Sequence, residues 1–250
     1  MDKFEPRWKS YVLLGLAIAS TLALFFMKPI PQPQDYHHFA DDRTLGGIPN
    51  ALNVLSNLFF LLAGGLGLQS CLGARTLSNR AAWTITFIGI TLVGLGSAYY
   101  HWSPNDQSLV WDRLPMTIAF MAFLSALLGE FLGSRITRVL LLPLILAGIS
   151  SVIIWHVADD LRMYAWVVFM PLILIIALLG LYRSPLRQPL FLMLLFYIGA
   201  KLAEEFDGNL FSMFGMIVSG HSLKHVLAAG ACFWMVVMVR KMLPPPSRHA

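Results

Sequence analysis

Eight long apolar runs, near 11-27, 50-70, 82-101, 113-132, 138-156, 162-182, 188-206 and 217-239, leave little of this 250-residue chain for anything else. At 1.5 Å of rise per residue, each is long enough to cross a hydrocarbon core of about 30 Å as a helix. The composition agrees: 57% of residues are hydrophobic and 12% charged, where a soluble domain would carry roughly a quarter. The chain is read as an all-α polytopic membrane protein.

No segment is low in complexity, and no fixed-period repeat is found, so one compact membrane domain is expected. The boundaries expected are 1-35 for an N-terminal helix and its flanks, 36-241 for the main helical domain and 242-250 for a polar tail. The first run follows Lys3, Arg7 and Lys9, as a signal peptide would, but Phe25, Phe26, Met27, Lys28 and Pro29 lack the small residues of a cleavage site. An uncleaved anchor helix is expected. Cys71 and Cys232 both fall at or inside apolar runs and read as core thiols.

The net charge of +5 is explained by sidedness, which removes the need for a nucleic-acid partner. With the N-terminus in the cytoplasm, that side receives Lys3, Arg7, Lys9, Arg75, Arg80, Arg135, Arg138, Arg183, Arg187, Arg240, Lys241 and Arg248, which are 12 of the 18 Lys and Arg. Most acids fall on the opposite side. This alternation requires eight crossings and places both termini in the cytoplasm.

Polar side chains inside spanning helices are functional candidates, because an unpartnered one costs several kcal/mol in hydrocarbon, roughly. The third run ends with Ser97 and His101, four residues apart on one helical face. The eighth begins with His221 and His225 at the same spacing, and the fourth opens with Asp112. The charge-derived topology brings all three segments to one depth on the outer side. Three neutral imidazoles suit a zinc ion and leave a fourth position for water, which can then ionise near pH 7 and attack a carbonyl. Asp112 could take the proton, and Ser97 could donate to the carbonyl oxygen or orient the water. Each motif alone is more often packing or an interfacial histidine pair; the argument rests on their agreement in depth.

In combination, GSAYYH, WDRLPM and GHSLKH resemble the alkaline ceramidase family, within the CREST group of seven-helix membrane hydrolases that also includes adiponectin-receptor-like proteins. The resemblance covers roughly residues 36 to 240 and includes Asn50, Asn53, Ser56 and Asn57 at the start of the second run. It implies a seven-helix CREST-type bundle to which the 11-27 run adds one N-terminal transmembrane helix, about eight in all. It also implies zinc bound by His101, His221 and His225, with Ser97 and Asp112 acting on water and substrate, and cleavage of the ceramide amide to a sphingoid base and a fatty acid. A calcium ion beside the zinc is a feature of eukaryotic members, but Asn50 stands at the position of an acidic ligand. Asp41, Asp42 and Asn53 could supply oxygens, but Ca²⁺ prefers several carboxylates, so Ca²⁺ is not expected.

Of the remaining polar residues, His37 and His38 read as an exposed pair, His156 as a loop histidine and His249 as part of the tail. Lys224 is expected to point about 100° away from His225 and to pair with Glu204, Glu205 or Asp207, with a similar partner for Lys201. An apolar cavity open to the bilayer would admit acyl chains of a lipid substrate. Three functions are carried forward: a zinc-dependent ceramidase of sphingolipid metabolism, with its site near the periplasmic side of a bacterial inner membrane; a hydrolase of another lipid amide or ester; and a receptor or sensor with a structural metal.

Overall fold

The computed structural model describes residues 6-74 and 76-243, whose regular secondary structure is all helical, with a single isolated bridge between Leu45 and Ile48. Lys3, Arg75, Arg248, His249 and nearly all of the polar tail lie outside the described residues. The helices are α1 (Arg7–Ala23), α2 (Ala51–Leu55), α3 (Leu58–Leu72), α4 (Arg80–Trp102), α5 (Asp106–Leu132), α6 (Ser134–Ala158), α7 (Arg162–Leu181), α8 (Arg187–Glu205), α9 (Asp207–Met213) and α10 (Gly220–Met242). All eight apolar runs are helical. Seven helices among the described residues are long and apolar enough to cross a membrane, which makes this a multi-pass membrane protein. The expected crossing at 188-206 is not among them: α8 carries Arg187 at one end and Lys201, Glu204 and Glu205 at the other, which lowers its mean hydropathy.

The second run is not one helix. It breaks at Ser56 and Asn57, where the Asn57 amide donates to the Asn53 carbonyl at 2.7 Å in place of regular helical bonding. His156 lies in the last turn of α6 rather than in a loop. That helix ends at Asp159, whose φ of 49° is left-handed, and the turn beyond it holds the chain that follows α1. The Asp159 carboxylate accepts from the Gln32 backbone at 2.8 Å, and Arg162 donates to the Met27 carbonyl at 2.7 Å. Helix α1 packs on α7 at the edge of the bundle, where Leu13 is its one buried residue among those described.

Close helix approach fixes the rest. A Cβ on Gly96 of α4 would lie 1.9 Å from the Trp111 carbonyl oxygen of α5. Pro115 has no N–H to bond that carbonyl, so the proline of WDRLPM and the glycine of GSAYYH form one contact. A Cβ on Gly220 would lie 2.2 Å from the Ala203 oxygen, which brings the start of α10 onto the end of α8.

Candidate metal centre and lipid cavity

His101 ends α4, and His221 and His225 open α10; all three are buried. Their ligand nitrogens lie within 4.8 Å of one another, and the ring centroids are 4.8 to 5.0 Å apart. Convergence of the three imidazoles therefore holds in the fold as well as in the topology.

The surroundings suit a metal. Nδ1 of His225 lies 2.7 Å from the Ser56 hydroxyl, which leaves Nε2 for an ion. Nδ1 of His101 is buried and has no hydrogen-bond partner among the described residues, as a lone pair reserved for a metal would be. Phe39 packs on His101 and His221, with centroids 4.7 Å from each.

Several groups hold α10 in place. Its N-cap, Ser219, accepts from the Ser222 backbone at 3.1 Å. Asn53 accepts from the Ser222 hydroxyl at 2.7 Å, and Asp207 accepts from the His221 backbone at 2.7 Å and from Ala40 at 2.9 Å. A carboxylate at a helix N-terminus also complements the helix dipole. Sequence reasoning assigned no role to Ser56 or Phe39 and considered Asp207 only as a partner for Lys224.

Ser97 and Asp112 approach each other across the α4–α5 contact. Both line a cavity of about 350 Å³ that also reaches His225. From this polar end the cavity runs between helices to Phe123 on α5 and Met235 on α10, a descent of roughly 15 Å at the helical rise. Its walls are mostly apolar, with Ile90, Met116, Phe120, Val168 and Met193 among them. An apolar cavity with a polar end could take an acyl chain beside a polar head.

Lys224 pairs with Glu204, Nζ to Oε1 at 2.6 Å, and Lys201 pairs with the same carboxylate. The expected ion pairs are present, but the expectation that Lys224 faces away from the site is overturned. Three residues after His221 on one face of α10, its Nζ lies 3.4 Å from His221 Nε2 and lines the cavity.

The reading of His37 and His38 as an exposed pair is also corrected. His38 is exposed, but the His37 side chain is only 10% accessible and bonds the Tyr100 hydroxyl at 3.0 Å and Asp106 at 3.1 Å. Asp106 begins α5 and Tyr100 precedes His101, so His37 ties the loop before α2 to both α4 and α5.

Of the oxygens considered for calcium, those of Asp41 and Asn53 are engaged by protein donors. Arg43 grips buried Asp41 with bonds of 2.7 and 2.8 Å, which holds that carboxyl below its usual range. The Asn50 amide donates to the His101 carbonyl at 2.9 Å, and Asn53 accepts from Ser222. A guanidinium thus occupies the neighbourhood of the Asp41 carboxylate.

Fold and site together define a class: a polytopic helical membrane protein with a buried three-histidine cluster, able to hold a metal ion, at the head of a mostly apolar cavity. A family profile described as Ceramidase matches residues 47–189, more than half of the chain, and the chain belongs to the ceramidase family. No curated protein matches it. The matched region contains Ser97, His101 and Asp112 but ends before α10, so the other two histidines are joined to the set by the fold.

Proposed function

We propose that this protein is a zinc-dependent hydrolase of ceramide-like lipids, splitting the amide into a sphingoid base and a fatty acid. The observation that carries this reading is the meeting of His101, His221 and His225 with the Ser97–Asp112 pair at the polar end of an apolar cavity.

In this reading the three imidazoles would hold zinc, which would there polarise a carbonyl and lower the pKa of water toward neutrality. The cavity between α4, α5, α7, α8 and α10 binds the acyl chains and excludes bulk water. Asp112, held in orientation by Ser97, takes the proton of the attacking water on its carboxylate and returns it to the departing amine nitrogen. Ser97 steadies that carboxylate or donates to the carbonyl oxygen as charge develops there. Ser56 fixes the ring of His225, and Phe39 packs against the cluster.

With α8 counted as a crossing, the sidedness of the basic residues supports a site on the outer face of a bacterial inner membrane and cytoplasmic termini. The test of function is hydrolysis by the purified protein in detergent of ceramide, phytoceramide and N-acylated amines side by side, with and without a chelator. Fatty acid released from ceramide, lost on chelation and restored by Zn²⁺, is the expected result. Release that ignores the chelator would refute the metal-dependent reading.

A further inference from the structure

Arg113 follows Asp112 on α5 and is 4% exposed, yet its Nε and Nη1 have no hydrogen-bond partner among the described residues. Its guanidinium lies 4.1 Å from the centre of the Trp155 ring, 4.5 Å from that of Tyr164 and 5.5 Å from that of Tyr36. Aromatic faces attract the cation but do not replace acceptors for the N–H groups in its plane. A guanidinium held between rings keeps its donor fork in a fixed orientation, the arrangement that recognises carboxylate or phosphate by two parallel bonds.

Arg113 lines the same cavity as Ser97 and Asp112. Charge at that polar end is unbalanced: Arg113, Lys201 and Lys224 face two carboxylates, Asp112 and Glu204, and Glu204 is shared by both lysines. A neutral lipid head would leave the surplus charge and the unpartnered donors as they are.

We propose that Arg113 is an oxyanion-binding residue, and that the cavity takes N-acyl lipids carrying an anionic head group. The inference rests on the hydrolase reading given above. The carboxylate of the released fatty acid offers the same chemistry from a second source, and separate measurements distinguish the two.

The purified full-length protein, loaded with zinc, is assayed on ceramide 1-phosphate and on ceramide of identical chains, as wild type, Arg113→Gln and Arg113→Lys. The expected result is a kcat/KM at least tenfold higher for the phosphate lipid in the wild type, lost in Arg113→Gln and partly kept in Arg113→Lys. Inhibition by palmitate that weakens tenfold in Arg113→Gln, without a head-group preference, would assign the oxyanion to the product. Equal handling of both lipids by all three proteins, with unchanged palmitate inhibition, overturns the proposal.

Thermal stabilisation by each lipid is measured in parallel. If neither lipid is hydrolysed, the hydrolase reading fails; Arg113 then stands if ceramide 1-phosphate stabilises the wild type more than ceramide does, and falls if the two are equal. The wild type and Arg113→Lys decide the matter by the same criterion if Arg113→Gln does not fold.

Discussion

The Ser56 hydroxyl lies 2.7 Å from Nδ1 of His225, across the break between α2 and α3. The same hydroxyl donates to the Asn53 carbonyl at 3.1 Å, so its proton is committed and its lone pair accepts from the imidazole N–H. That fixes the tautomer with Nε2 free. Partners of this kind contribute about 10- to 100-fold to metal affinity. Ser56→Ala is therefore expected to weaken zinc binding by about that factor while the helices stay assembled. Competition against a chromophoric chelator measures it, and wild-type affinity would exclude Ser56 as the orienting group.

Asp112 and the histidines should separate cleanly in mutants. His225→Ala removes one of three ligands and is expected to abolish both bound zinc and turnover. Asp112→Asn keeps the ligands and the shape but loses the base, so zinc is retained while hydrolysis slows by at least about 100-fold. Metal analysis alongside kinetics checks both, and a full rate in Asp112→Asn would remove it from the mechanism.

What the sequence made legible follows from local physics. The i, i+4 spacing of Ser97 with His101 and of His221 with His225 needs only helical periodicity, and their common depth needs only the count of apolar runs. The break at Ser56 and Asn57 illustrates the opposite case: the polar residues Asn53, Ser56 and Asn57 are visible in the run, but the bond from Ser56 to His225 spans 169 residues. Lys224 escaped for a related reason. Its angle from His225 was correct, but three residues from His221 it shares that residue's side, and Glu204 of α8 draws it inward. His37 is held by Tyr100 and Asp106, 63 and 69 residues away, a distance no pattern along the chain reports.

Glu204 sits between two cations, and its removal tests the electrostatics of the site. In Glu204→Gln, the Lys224 ammonium loses its counter-charge while remaining 3.4 Å from His221. An uncompensated cation beside a divalent ion is unfavourable at low dielectric. Zinc affinity is expected to fall at least tenfold in Glu204→Gln and to recover in the double variant with Lys224→Met. Equal affinities in all three proteins would show that this ion pair does not act on the metal centre.

Gly96 tests how tightly α4 and α5 must meet. An alanine methyl would fall 1.9 Å from the Trp111 carbonyl, a contact that only backbone movement relieves. Separation of α4 from α5 parts Ser97 from Asp112, and misplacement by about 1 Å can cost 100-fold in rate. Gly96→Ala is expected to lower both the melting temperature and kcat, whereas Gly65→Ala, where a Cβ meets nothing within 4 Å, serves as the control. Full activity in Gly96→Ala would mean the contact is not needed for the pair.

The turn between α6 and α7 gives a pH signature outside the membrane. Hydrogen bonds from Arg162 hold Asp160 at a pKa of about 2, below its ordinary 3.8, and Arg162 extends to the carbonyl of Met27. Because the folded value is the lower one, the unfolded chain binds more protons in this range. The stabilisation is complete above pH 4 and is lost as pH falls from 4 toward 2. The melting temperature of the wild type in detergent should therefore exceed that of Asp160→Asn at pH 6, with the gap closing between pH 4 and 2. The same variant should loosen the attachment of α1, since Arg162 then lacks the carboxylate that orients it toward the end of that helix. Limited proteolysis between residues 27 and 35 at pH 6 reads this directly, and identical cleavage rates in the two proteins would show that Asp160 does not act on the attachment of α1.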